Sequence, residues 1–117
     1  MEKTKKILFV DREKNVCKVM EDSLNLFGFN AISRRDSQEA LSLLEKEDFS
    51  LVITNGGIGI LEEIKSKKPD LPVCVTVEYS SPTIAKKILN AGADSYMVKP
   101  FSITEVKQTI EKLLKIA

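Results

Sequence analysis

The chain has 117 residues, enough to bury one hydrophobic core and too few for two, so we expect a single domain over residues 1–117. A hydrophobic share of 43% with 30% charged residues excludes a disordered or fibrous chain, and 18 basic against 17 acidic residues leave no overall field favouring nucleic acid. The absence of histidine excludes imidazole bases and nearly every zinc site.

The N-terminal stretch contains neither a secretory signal nor a membrane span. Only four strongly apolar residues, at 7–10, follow the basic first residues, which is too few for either. We therefore expect a cytoplasmic location and no membrane partner. Cys17 and Cys74 lie far apart in apolar surroundings, and we expect both to be small buried residues rather than a disulfide or a redox pair.

The N-terminal half alternates short apolar runs with stretches of helical periodicity. Residues 7–10 predict a strand, and residues 13–27 repeat apolar side chains at helical spacing before Gly28, where a left-handed C-terminal residue is typical. Residues 30–33 are weaker and more polar, as expected of an edge strand. A capping pair predicts a second helix over about 36–47.

The C-terminal half continues the same alternation. We predict strands at 51–53, 73–77 and 96–98, and helices at 60–66, 81–91 and 102–114. The helix at 60–66 is unusually short, because the preceding glycines are interpreted as a loop. Five strands and five helices in strict alternation predict an α/β domain, a doubly wound three-layer sandwich on a parallel sheet.

In open sheets of this kind the functional crevice lies at the carboxyl ends of the strands. The residues expected there are Asp11 and Arg12, Asn55 to Gly57, Val77 and Glu78, and Lys99 and Pro100.

Six segments in order along the chain carry a family resemblance: Lys6–Asp11, Glu39–Leu41, Ile64–Lys65, Pro69–Val73, Gly92–Tyr96 and Lys99–Phe101. With them the chain resembles the response-regulator receiver domains of two-component phosphorelays. The resemblance implies a flavodoxin-like, CheY-like fold with a five-stranded sheet in the order 2-1-3-4-5. It also implies a non-enzymatic signalling role.

In that family an acidic pair after the first strand and an aspartate after the third hold Mg²⁺, and the third-strand aspartate accepts a phosphoryl group. The acidic pair falls here on Asp11 and Arg12, and the acceptor position falls on Asn55. A guanidinium repels a divalent cation, and a neutral amide is a poor nucleophile. We therefore expect no metal, no cofactor and no catalytic residue in a degenerate phosphorylation pocket.

Further departures follow at the other strand ends. The family's switch hydroxyl aligns with Val77, because Thr76 should point to the opposite face, and Glu78 replaces a small residue. Lys99 persists. Since Asp11 and Glu78 offset Arg12 and Lys99 in charge, we predict that these four side chains form a metal-free ion-pair cluster holding one conformation.

Several residues keep two interpretations. Asn55 is either a mimic of an inert state or a strand-end residue that hydrogen-bonds the next turn. Lys99 with Pro100 serves either the phosphate contact that it makes in the family or, with no phosphate, turn geometry and a pairing with Asp11; in the family this proline is commonly cis. The glycines at 56–59 form either a tight turn or an anion- or nucleotide-binding loop. Tyr96 is a switch aromatic or ordinary packing.

The family docks its partners on the fourth helix, fifth strand and fifth helix. If that use persists, the residues on or beside the surface are Lys86, Lys87, Asn90, Tyr96 and Lys107. Expected partners are a histidine kinase, an output domain or another signalling protein, whereas nucleic acid is not expected for this domain alone. The leading hypothesis is a phosphorylation-independent pseudo-receiver; the alternatives are a phosphate-accepting regulator with a remodelled site and a small-ligand or nucleotide sensor.

Overall fold

The computed structural model describes residues 4–55 and 57–116. Its strands are β1 (Lys6–Val10), β2 (Asn30–Arg34), β3 (Leu51–Thr54), β4 (Val73–Val77) and β5 (Ser95–Val98). Its helices are α1 (Lys14–Leu26), α2 (Ser37–Lys46), α3 (Gly57–Lys67), α4 (Pro82–Asn90) and α5 (Ile103–Leu114). The strict alternation predicted from the sequence is confirmed.

All strand pairs are parallel, and the sheet has the order β2-β1-β3-β4-β5. The predicted doubly wound α/β fold is therefore confirmed, with β2 at an edge as its polar sequence indicated. Because β1 and β3 pair at the centre, their carboxyl ends meet where the strand order reverses.

The two faces of the sheet carry separate hydrophobic clusters. Phe9 and Ile53 face the cluster formed with α1 and α5, whereas their neighbours Leu8 and Val52 face the cluster formed with α2, α3 and α4. This alternation explains why the strands are apolar along their whole length: helices cover both sides. Cys17 and Cys74 are buried free thiols in the α1–α5 cluster, as expected.

Three helices begin at the side-chain caps that the sequence predicted. Asp36 accepts a hydrogen bond from the Gln38 amide at 2.8 Å, Ser81 from the Ile84 amide at 3.2 Å, and Ser102 from the Glu105 amide at 3.0 Å. Gly28, predicted to follow the first helix in a left-handed conformation, has φ 96°.

The prediction of a short third helix is wrong. Helix α3 has 11 residues and begins at Gly57, so Gly57 and Gly59 lie in its first turn rather than in a tight turn. Gly56, part of the predicted turn or anion loop, lies outside the described residues. Glycine is a weak helix former, but burial of Ile60, Leu61 and Ile64 against the sheet outweighs that preference.

A polar network closes the end of the sheet opposite the crevice. The Lys65 ammonium lies 2.7 Å from Asp94 Oδ2 and donates to the Leu71 carbonyl at 2.7 Å. Asp94 Oδ2 also accepts from the Val73 amide at 2.8 Å. The lysine therefore ties α3 to the starts of β4 and β5.

In the part of the chain that the structure describes, no helix has both the length and the hydrophobicity needed to cross a bilayer.

We predict that Lys65→Met lowers the free energy of unfolding by about 1–2 kcal/mol, because a half-buried charge-assisted network loses its donor. Lys67→Met is the matched control: it breaks an exposed pair with Glu45 and should cost about 0.5 kcal/mol or less. Urea unfolding of both variants measures the difference. Equal losses would show that the network adds nothing to an ordinary surface pair.

Candidate functional site

Four of the residues expected at the crevice do gather at the carboxyl edge of the sheet. Asp11 follows β1, Asn55 follows β3, Glu78 follows β4 and Lys99 follows β5. Backbone hydrogen bonds extend the sheet into these positions. They run from the Asp11 amide to the Arg34 carbonyl at 3.1 Å, from the Asn55 amide to the Val10 carbonyl at 3.2 Å, and from the Lys99 amide to the Val77 carbonyl at 2.8 Å.

The centre of the site is a buried ion pair. Asp11 is 1% exposed, and its Oδ2 lies 2.7 Å from the Lys99 ammonium, whose side chain is 15% exposed. Oδ1 accepts a hydrogen bond from the Glu13 amide at 2.9 Å. Oδ2 has no hydrogen-bond partner of good geometry among the described residues, so the charge of Lys99 is what offsets the cost of burying this carboxylate.

The charges around Lys99 hold its proton firmly. Burial alone lowers the pKa of Lys99, but the contact with Asp11 and the negative charges of Asp11, Glu78 and Glu13 outweigh it, so the pKa is raised above its ordinary value. Lys99 is therefore a fixed cation at neutral pH.

The predicted ion-pair cluster of Asp11, Arg12, Glu78 and Lys99 is wrong for Arg12. Glu78 Oε1 lies 3.7 Å from the Lys99 ammonium, and the Glu78 side chain is 71% exposed. Arg12, however, is exposed and makes no ion pair with any residue in 4–55 or 57–116. Its carbonyl accepts from Arg35 Nε at 3.1 Å. A guanidinium gains little from a surface pair when it can stay hydrated, so the cluster has three members.

At the end of β4 the neighbours Val77 and Thr76 have different surroundings. Val77 is partly buried and packs against the α2–α4 cluster. Thr76 is 3% exposed, and its Oγ1 has no hydrogen-bond partner in the described part of the chain. Asn55 is half-buried at the end of the neighbouring strand β3. The Lys99–Pro100 peptide bond is cis.

The residues predicted for a partner surface lie in two places. Lys86, Lys87 and Asn90 are exposed on α4, and Tyr96 is half-buried against the α2–α4 cluster. The Lys107 ammonium lies 4.8 Å from the centre of the Phe27 ring, at the end of α1. Lys107 therefore lies on the other side of the sheet from Tyr96.

Two contacts to Asp11 were missed by reasoning from the sequence. The Glu13 amide is one, and the Cys17 thiol is the other, since its Sγ lies 3.2 Å from the Asp11 carbonyl oxygen. An aspartate two residues ahead of a backbone amide at a helix start is the local pattern that could have indicated the first contact. Burial is the largest influence on Cys17 and raises the pKa of its thiol.

Comparisons with known proteins agree with this geometry. The sequence model of the response regulator receiver domain matches residues 7–111. A probable transcriptional regulator, ycf27, from Porphyridium aerugineum is 33% identical over 116 residues, covering 94% of this chain and 48% of that protein. Transcriptional regulatory protein ZraR of Escherichia coli K12 is 32% identical over 114 residues, covering 92% and 26%.

Among solved structures, the CheY-like response regulator receiver domain protein from Methanospirillum hungatei JF-1 superposes with a TM-score of 0.90 at 25% identity, covering 97% of this chain and 95% of that one. The chain thus spans about half or less of the two curated relatives but nearly all of a solved receiver domain.

We predict that Lys99→Met lowers the free energy of unfolding by on the order of 3 kcal/mol, because it leaves Asp11 buried without its cation. The double variant Asp11→Asn/Lys99→Met should recover most of that loss, since the neutral amide still accepts from the Glu13 amide. Denaturant unfolding of the singles and the double gives the coupling energy. Additive losses would mean that the two side chains do not stabilise each other.

The same pair predicts a pH dependence at the alkaline end. The folded pKa of Lys99 is raised above the ordinary lysine value of 10.5, so its contribution to stability is complete below pH 10.5 and is lost as the pH rises through the folded pKa. The stability of wild type relative to Asp11→Asn/Lys99→Met should therefore fall as the pH rises through the folded pKa, because the double variant has no titrating group at either position. A constant difference up to alkaline unfolding would contradict the assignment.

Proposed function

The chain belongs to the response-regulator receiver family of two-component systems, and we propose that it signals through protein contacts without accepting a phosphoryl group. The observation that carries this proposal is the buried Asp11–Lys99 pair, in which the carboxylate that is buried at the crevice in the described part of the chain already has a cation at 2.7 Å.

The donor set does not fit the Mg²⁺ that the family resemblance implies. Mg²⁺ needs several oxygen ligands in near-octahedral geometry. Asp11 offers its carboxylate to Lys99 and to the Glu13 amide, Asn55 offers at most a neutral amide oxygen, and Glu78 is mostly exposed. Among the described residues, no group of three or more acidic, cysteine or histidine side chains is arranged to share a metal ion.

Acceptor chemistry is also missing at the third strand. Phosphoryl transfer to a receiver requires a carboxylate oxygen as nucleophile, and the half-buried residue after β3 is Asn55. The amide oxygen of Asn55 carries no negative charge and is therefore a poor nucleophile. It also cannot form the acyl phosphate that a carboxylate forms. We infer that the cations Lys99 and Arg12 at this edge do not serve a transfer step.

In the proposed role, the three-membered ion-pair cluster of Asp11, Lys99 and Glu78 takes the place of a phosphorylation equilibrium. Lys99 links the ends of β1, β4 and β5 through opposite charges, so the crevice favours one arrangement. The partner is a kinase, an output domain or another signalling protein. Lys86, Lys87, Asn90 and Tyr96 remain the predicted contact residues, with Lys107 beside α1.

We predict that incubation with Mg²⁺ and acetyl phosphate leaves the intact mass of the wild-type chain unchanged. In the same experiment Arg12→Asp/Asn55→Asp should gain the mass of one phosphoryl group, because it restores two carboxylates beside Asp11. Asn55→Asp alone tests whether the acceptor suffices without the acidic pair.

The double variant Arg12→Asp/Asn55→Asp is the positive control: its phosphorylation would show that acetyl phosphate is active and that the domain is folded. An added phosphoryl group on the wild-type chain would refute the proposal. A parallel Mg²⁺ titration followed at the Asp11 amide by NMR should show binding in the double variant and none at millimolar metal in the wild type.

A further inference from the structure

A polar groove lies beside the crevice, on the surface between α1 and the start of α2. Its volume is about 460 Å³, within the range of small-ligand sites. Four cationic side chains line it, Lys14, Lys18, Arg34 and Arg35. The groove belongs to none of the roles assigned above.

Most of the acidic side chains in the groove are committed to other contacts. Glu21 Oε2 accepts from both the amide and the hydroxyl of Ser33 at 2.7 Å. Asp22 lies 3.2 Å from the Lys18 ammonium. Ser33 is uncharged, so Glu21 keeps its negative charge; once the Lys18–Asp22 pair is set aside, Lys14, Arg34 and Arg35 face the carboxylates of Glu21 and Glu39, and the groove keeps an excess of one positive charge.

The two arginines are held by single hydrogen bonds that leave other donors free. Arg34 Nη1 donates to the Ser33 carbonyl at 2.7 Å, and Arg35 Nε donates to the Arg12 carbonyl at 3.1 Å. Neither guanidinium forms an ion pair with a residue that the structure describes. A guanidinium fixed at one nitrogen presents its remaining N–H groups as a preorganised fork for an oxyanion.

We propose that this groove binds a small phosphate-bearing molecule, with Arg34 and Arg35 holding the phosphoryl oxygens and Lys14 adding charge. Two guanidinium groups at adjacent positions, neither of them in an ion pair, suit a dianionic tetrahedral group better than a single carboxylate. The binding is non-covalent and needs neither Asn55 nor a metal. The proposal therefore goes beyond the proposed function and stands or falls separately from it.

Inorganic phosphate and pyrophosphate, titrated into the full chain at constant ionic strength, test this site by NMR. The backbone amides of Ser33, Arg34 and Arg35 and the arginine Nε–H resonances should shift in a saturable way, with pyrophosphate binding more tightly. Arg34→Gln/Arg35→Gln should weaken pyrophosphate binding by about tenfold or more.

Two further variants keep the test independent of folding. Arg35→Lys retains the charge and should lose part of the affinity, because an ammonium lacks the fork. Lys112→Gln removes an exposed charge on α5 and should leave binding unchanged. The proposal is overturned if the shifts do not saturate, if they spread evenly over surface lysines, or if Lys112→Gln weakens binding as much as the arginine variants. Phosphorylation by acetyl phosphate would leave it untouched.

Discussion

The structure of the crevice depends on how one buried carboxylate is neutralised. Asp11 lies at the end of the central strand β1 with 1% of its surface exposed, where an uncompensated charge would be strongly unfavourable. Lys99 supplies the compensation from the end of β5, across the width of β3 and β4. This pair thus fixes two strand ends that are far apart in sequence. Its geometry also determines what else the site has room for.

Charge accounts for the difference between this site and a metal site. With a second carboxylate at position 12 and a third at position 55, Lys99 would leave an acidic pocket that a dication could balance. Here the buried members are one anion and one cation, and the remaining charges, on Arg12 and Glu78, are exposed. A pocket whose buried charges already cancel has little electrostatic reason to take up a metal ion.

The architecture could be predicted from the sequence because several independent local signals indicated the same helices and strands. Apolar runs at 51–53 and 73–77, caps at Ser81 and Ser102, and Gly28 after α1 all favour the same elements, and topology then brings the strand ends together. The start of α3 was not predictable in this way. Local glycine preference and tertiary burial oppose each other there, and burial wins.

For the site, the strand order allowed a prediction of which residues lie near one another, but not of where their side chains point. Parallel strands in this order bring Asp11, Asn55, Glu78 and Lys99 to one edge whatever their side chains do. A sum of charges, however, does not say where each side chain points. The predicted ion-pair cluster therefore included Arg12, whose side chain is exposed. Nor does the sequence indicate the direction of the Lys65 side chain, which forms a half-buried link between α3 and the start of β5. Side-chain direction decided both cases.

The turn from β1 into α1 joins the crevice to the polar groove beside it. Asp11 faces the crevice with its carboxylate, while its carbonyl oxygen lies 3.2 Å from Cys17 Sγ, and the next carbonyl, that of Arg12, accepts from Arg35. The ion pair of Asp11 and the acceptor of Arg35 thus lie on consecutive residues of one turn. Since the contacts of Cys17 and Arg35 both use backbone carbonyls, they persist when the side chain at position 12 changes. A guanidinium aimed by the backbone of an ordered turn loses little freedom on meeting an anion, because its orientation is set before the ligand arrives.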